Sequence, residues 1–519
     1  MGDGDVGEEI PEEVRDALGS SRRPEDDPAL GIAVGPHAGD PPRHRLVTIG
    51  DSLTHGFQSG AIFNTGLSYP AIIAQELGWY DQFRHPSYDG YGGLPINIEY
   101  VVRELESRYG DSVGVLEAVP AAVAVRSLMA KIEDWWERDA EDPNRFGTIN
   151  HNLAVYGWDL FDARTRTAES CRGDIEAPTD ALLKQVVQNA NERAALRVLA
   201  PGPGGQEKRT LVGSATELGR DGGIETLVVM LGANNALGTV TSLKVAWSQD
   251  EGYHDPDLKR DYTVWRPEHF REDLAAVAAE VREIDARHVI WSTVPHVTIA
   301  PIARGVGDKL APGSRYFAHY ARPWVTAFDA RRHSHITGDD ARAIDTAIDL
   351  YNDAITEMVR DERGAGRDWL LLDLCGLLDR LASRRYIEDP AARPNWWKPY
   401  PLPSALRALS PEPDSRFFAS GPDGRTAGGL FSLDGVHPTT VAYGLMAQET
   451  IRIMERAGVA FHDRAGRERE QPVMVDFEEL IGLDSLLSDT PRSLSPNMAT
   501  IERLDRGYGF LRRMLLGGP

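Results

Sequence analysis

Five short apolar or β-branched runs punctuate the chain, at residues 45–50, 148–156, 226–231, 288–294 and 369–374. Each is bounded by turn-forming residues and too short for a buried helix, so each predicts a strand. Apolar residues at helical spacing fill 68–77, 181–199, 268–284, 341–359 and 439–454. Strands alternating with helices predict a parallel sheet whose two faces are both covered, because a parallel crossover carries its helix over a face of the sheet. The fold class expected is a three-layer α/β/α sandwich of about five parallel strands.

Between these elements the chain runs far longer than ordinary connections, near 81–144, 164–222, 300–340 and 379–427. Stretches of that length need structure of their own, expected as large helical insertions. Trp135, Trp136, Trp324, Trp396 and Trp397 lie in them. They are read equally as walls or a lid over a pocket and as helical appendages or a subunit interface, the second making the chain a homo-oligomer. Residues 1–43 are rich in Glu, Asp, Pro and Gly with little periodicity and are expected as a flexible acidic arm. The domain then spans 44–460 with its insertions. A charged C-terminal extension, 461–519, ends in a weakly amphipathic stretch at 498–516, expected to dock on the body.

Two segments nearly four hundred residues apart carry chemistry. The first strand runs into Gly50-Asp51-Ser52-Leu53-Thr54-His55-Gly56, and Leu433-Asp434-Gly435-Val436-His437-Pro438 precedes the last helix. A serine on a tight strand-to-helix turn projects its hydroxyl from the carboxyl edge of the sheet, beside backbone N–H groups able to hold an anion. Such a hydroxyl is a weak nucleophile without a base. His437 is the candidate base, and Asp434, three residues earlier, can orient it around one turn. No Gly-x-Ser-x-Gly elbow, His-Glu-x-x-His or phosphate-binding loop occurs, and Pro201-Gly202-Pro203-Gly204-Gly205 reads as a turn.

Together with two further blocks, these motifs resemble the GDSL or SGNH hydrolase family of esterases and lipases, from about Arg45 to Ala457. The resemblance implies a flavodoxin-like strand order of 2-1-3-4-5. Asn152-Leu153-Ala154-Val155-Tyr156-Gly157 resembles the family's glycine block and implies that the Gly157 N–H joins an oxyanion hole; Gly147 is a rival. Gly232-Ala233-Asn234-Asn235 resembles its Gly-x-Asn-Asp block and implies that Asn234 donates from its amide, with the Ser52 N–H as third donor. Asn235 stands where the family usually has aspartate. Asp51, Leu53, His55, Trp158, Asn235, His296 and Val436 are the candidate pocket residues.

The activity expected is hydrolysis of a small-molecule or lipid ester through a Ser-His-Asp triad, with no metal or organic cofactor. The alternatives are an acyltransferase using the same serine and a catalytically inactive interaction protein. A net charge of −23 argues against a nucleic-acid partner, which needs a basic face. Two cysteines, Cys171 and Cys375, exclude a disulfide framework, and Cys375 is expected to be a buried thiol. No apolar stretch approaches the ~18 residues of a membrane span. An acidic beginning without an apolar run leads to the expectation of a cytoplasmic protein.

Overall fold

The computed structural model describes residues 10–19, 22–37, 39–110, 118–139, 148–176, 187–200, 206–492 and 494. Five parallel strands form the central sheet: β1 (His44–Gly50), β2 (Asn152–Ala154), β3 (Ile224–Met230), β4 (Ala286–Ser292) and β5 (Trp369–Leu372). Their order across the sheet is β5-β4-β3-β1-β2.

Alternate side chains of a strand point to opposite faces, and here both faces are apolar. Val47, Ile49, Leu227, Val229, Val289, Trp291 and Leu371 join one buried cluster; Leu46, Val228, Met230, Ile290, Leu370 and Leu372 join the other. The first cluster is roofed by helices α4 (Leu211–Arg220), α6 (Pro267–Val281) and α7 (Gly338–Gly364). The second is roofed by α3 (Tyr69–Glu76) and α9 (Thr440–Arg456). A third layer therefore closes on each side of strands that would otherwise leave Leu, Ile and Val in water, at about 1.5–3 kcal/mol for each large side chain.

Helix α1 (Glu12–Ala17) packs on the body with Val14 fully buried. Arg22 pairs with Asp373 at 2.8 Å, and Arg363 donates to the Ile32 carbonyl. The expected flexible arm is thus corrected for its described residues: buried apolar and ionic contacts repay the cost of ordering it. The Leu371 N–H donates to the Pro28 carbonyl at 2.9 Å, covering the outer edge of β5. At the opposite edge, the N–H groups of His151 and Asn152 both donate to the Arg84 carbonyl. That contact ends the second strand, which is therefore much shorter than 148–156.

The insertions are not wholly helical. Residues after Ala300 form a three-stranded antiparallel sheet, Arg304–Lys309, Phe317–Ala321 and Ile336–Thr337, and a hairpin joins Ala419–Gly421 to Gly424–Ala427. The run Phe317-Ala318-His319-Tyr320-Ala321 is aromatic and extended in preference, which accounts for the difference. No helix among the described residues is long and apolar enough to cross a membrane. The stretch at 498–516, the turn at 201–205 and Gly147 lie outside the described residues.

Candidate active site

Strand β1 has β2 on one side and β3 on the other, so the sheet's topological switch point lies at its carboxyl end. Ser52, Gly157 and Asn234 follow these three neighbouring parallel strands, so all three lie at the carboxyl edge of the sheet. Gly50 is required there: a β-carbon would fall 2.1 Å from Thr54 Oγ1 and 2.9 Å from the Met230 carbonyl oxygen. Ser52 begins the one-turn helix α2 (Ser52–His55), capped by Asp51, whose Oδ1 accepts from the Leu53 N–H at 3.0 Å. Burial pushes the Asp51 carboxyl up to about 7, against the opposing pull of that N–H and of His437.

The histidine loop docks on the segment just after α2. Phe57–Gln58 and Ala61–Ile62 form a hairpin, and its turn residues Ser59 and Gly60 both have positive φ, 49° and 86°, as a tight two-residue turn requires. The Gly60 N–H donates to Asp434 Oδ2 at 2.9 Å, and the Ser59 N–H donates to Ser432 Oγ at 2.9 Å. The Phe57 ring lies 4.5 Å from the His437 ring, tilted by 45°, and the Phe57 carbonyl accepts from the Tyr443 hydroxyl. These contacts bridge 374 residues of sequence and bring the serine turn and the histidine loop together.

Asp434 is saturated as a carboxylate. Oδ1 accepts from the N–H groups of Val436 and His437, both at 2.8 Å, while Oδ2 accepts from Gly60 and from His437 Nδ1 at 3.0 Å. Burial pushes its pKa up, but His437 and these backbone donors prevail and hold it below the usual carboxylate range. With the proton on Nδ1, His437 presents Nε2 as an acceptor. That nitrogen is buried and has no hydrogen-bond partner, so the Ser52 hydroxyl does not close on it in this structure.

Asn234 opens helix α5 (Asn234–Ser242) and donates one amide hydrogen to the Trp158 carbonyl at 2.8 Å. This fixes the amide and leaves its second hydrogen available. Gly157, with φ 78°, sits in the loop between Tyr156 and Trp158. A partly open apolar cavity of about 100 Å³ lies beside the serine turn, lined by Leu53, Val436, Pro438 and Phe431 among others.

Leu53 and Val436 thus face a cavity, whereas the side chains of His55, Trp158 and His296 are committed elsewhere. His55 Nδ1 accepts from the Tyr156 N–H at 3.2 Å, and its Nε2 lies 2.8 Å from the Tyr88 hydroxyl; burial pushes it down to about 3. It ties α2 to the glycine block as a neutral ring. Trp158 turns its indole inward to Asn191. Asn235 is fully buried; its backbone carbonyl accepts from the Trp265 N–H, and its side-chain amide has no hydrogen-bond partner among the described residues. His296 is held between Asp349 and Asp379, at 3.1 Å each, because the turn after β4 buries it against α7 and helix α8 (Leu374–Leu381).

Sequence reasoning missed the hairpin, although its Ser59-Gly60 dipeptide is a turn signal. Among the described residues, His296, Asp349 and Cys375 also come close enough to share a cation, but Arg315 and Arg385 already offset the surrounding aspartates. In comparisons with known proteins, no family model and no curated protein matches the chain.

Proposed function

We propose that the chain is a carboxylic ester hydrolase of the GDSL or SGNH type. The observation that carries this reading is the docking of the Asp434–His437 pair, through Gly60 and Phe57, onto the segment that follows Ser52. The strand order and the placement of Ser52, Gly157 and Asn234 at the carboxyl edge of the sheet support it.

Ser52 Oγ attacks the ester carbonyl while His437 Nε2 takes its proton. Asp434 keeps the other ring proton on Nδ1 and stabilises the imidazolium that forms. The developing oxyanion receives hydrogen bonds from the N–H groups of Ser52 and Gly157 and from Asn234 Nδ2. His437 then protonates the leaving alcohol, and water attacks the acyl-enzyme by the same route in reverse. Closing of Ser52 on Nε2 belongs to the substrate complex, since catalytic hydrogen bonds are often long in the unliganded enzyme. The cavity lined by Leu53 and Val436 takes the acyl chain. Two free, buried cysteines suit a reducing compartment, and we read the chain as cytoplasmic.

A fluorophosphonate probe should label Ser52 in the folded wild type and leave Ser52→Ala unlabelled, with ester hydrolysis lost. Unimpaired hydrolysis in Ser52→Ala ends the reading. Asn234→Ala should still be labelled, but with kcat reduced about 10²–10³-fold, the usual cost of one oxyanion donor.

A further inference from the structure

A second cavity, of about 280 Å³, lies between the antiparallel insertion and the segment that follows α8. Arg304, Arg315, Arg384, Arg385 and Arg416 line it, and no carboxylate does. In a chain with 79 acidic against 56 basic residues, this reverses the average surface. Three of the five are answered by acids from outside the lining. Arg385 pairs with Asp345 at 2.8 Å, Arg315 is 4.0 Å from Asp349, and Arg416 pairs with Asp414 and lies 3.8 Å from Glu388.

Arg304 and Arg384 are left over. Among the described residues neither has a carboxylate within ion-pair distance. Arg304 donates to the Val325 carbonyl at 2.9 Å and Arg384 to the Gly305 carbonyl at 3.0 Å. The Nε of each is buried without a partner. Partial burial and then repulsion from Arg384 depress Arg304, while partial burial outweighs the pull of Glu388 and Tyr320 to depress Arg384, with a smaller push from Arg416. Both residues are half-buried, a partly desolvated cation without an ion-pair partner costs free energy, and guanidinium groups present paired donors that suit phosphate geometry.

We propose that this cavity is a binding site for a phosphate group, held chiefly by Arg304 and Arg384. A phosphate monoester carries about −1.5 to −2 charge at neutral pH, the complement of two unanswered guanidinium groups, whereas a carboxylate would offset only one. Ser415 lines both this cavity and the apolar one beside the serine turn, so the two are neighbours. An alkyl phosphate is the ligand that tests whether the two communicate. The proposal stands whether or not Ser52 is a nucleophile, because it concerns binding alone.

Isothermal titration of the full-length protein with inorganic phosphate, octyl phosphate and acetate, at matched ionic strength, tests it. Saturable binding of inorganic phosphate is expected, with acetate at least tenfold weaker. Tighter binding of octyl phosphate identifies a phosphate ester as the ligand, and equal binding identifies free phosphate. Arg304→Gln and Arg384→Gln should each weaken binding at least tenfold, and the surface variant Glu388→Gln should strengthen it by removing an opposing charge. Absence of saturable phosphate binding in the wild type would overturn the proposal. Equal binding of acetate, or undiminished binding in the two folded arginine variants, would do the same.

Discussion

His437 and His296 are both buried, both stand beside aspartate, and both follow a strand or loop at the carboxyl edge of the sheet. They are wired differently. His437 spends Nδ1 on Asp434 and keeps Nε2 unpartnered, whereas His296 spends both nitrogens, Nδ1 on Asp379 and Nε2 on Asp349. Burial disfavours charge on His296, but Cys375, Asp379, Asp345 and Asp349 together prevail and raise its pKa well above the ordinary value. It is held as an imidazolium, one of three cations, with Arg315 and Arg385, set against three aspartates. A proton that both neighbours hold cannot be traded with a substrate. The difference teaches that an aspartate–histidine pair is free to trade a proton only where the second nitrogen is left open, as at His437 and not at His296.

The largest expected effect breaks the first histidine. His437→Gln should lower kcat on a chromogenic ester at least about 10⁴-fold, roughly 5.5 kcal/mol of transition-state stabilisation. Its urea midpoint should hardly move, because Asp434 keeps three backbone donors. Hydrolysis within tenfold of wild type would remove His437 from the mechanism.

His296→Gln should do the reverse. Taking one charge from a buried ionic cluster costs about 3–5 kcal/mol, read by urea unfolding, while kcat of the folded fraction stays within a few-fold of wild type. A collapse of kcat without loss of stability would make His296 part of the chemistry.

The smallest effect sharpens the contrast through pH. The folded-state pKa of His296 lies above its unfolded value of about 6.5, so its stabilising contribution is complete below pH 6.5 and falls as pH rises toward the folded value. The wild-type advantage over His296→Gln should therefore shrink above pH 6.5, by at most about 1.4 kcal/mol per pH unit. A constant difference across that range would mean that His296 is neutral in the fold.

The sheet was legible in the chain because strands buried on both faces are apolar at successive positions, as in Leu227-Val228-Val229 and Leu370-Leu371-Leu372. The candidate triad was legible because Asp434 and His437 are three residues apart and Ser52 follows a strand directly. What escaped depends on convergence. Asp345 and Asp349 approach His296 from α7 and Asp379 from α8, 49 to 83 residues further along the chain, and nothing local marks them as its partners. Arg384-Arg385 is visible as a basic pair, but their opposite fates, one answered by Asp345 and the other not, arise only where the insertions fold together. Gly435 shows the same limit. A β-carbon there would lie 2.8 Å from the Phe417 ring, a contact between the histidine loop and an insertion that no spacing rule predicts.

The Pro28 carbonyl on β5 and the Arg84 carbonyl beside β2 also bear on how copies of the chain meet. Each stoppers one flank of the sheet with irregular backbone, and a stoppered flank offers no ladder on which a foreign strand can grow. Among the described residues, self-association by strand addition to the central sheet is discouraged at both ends.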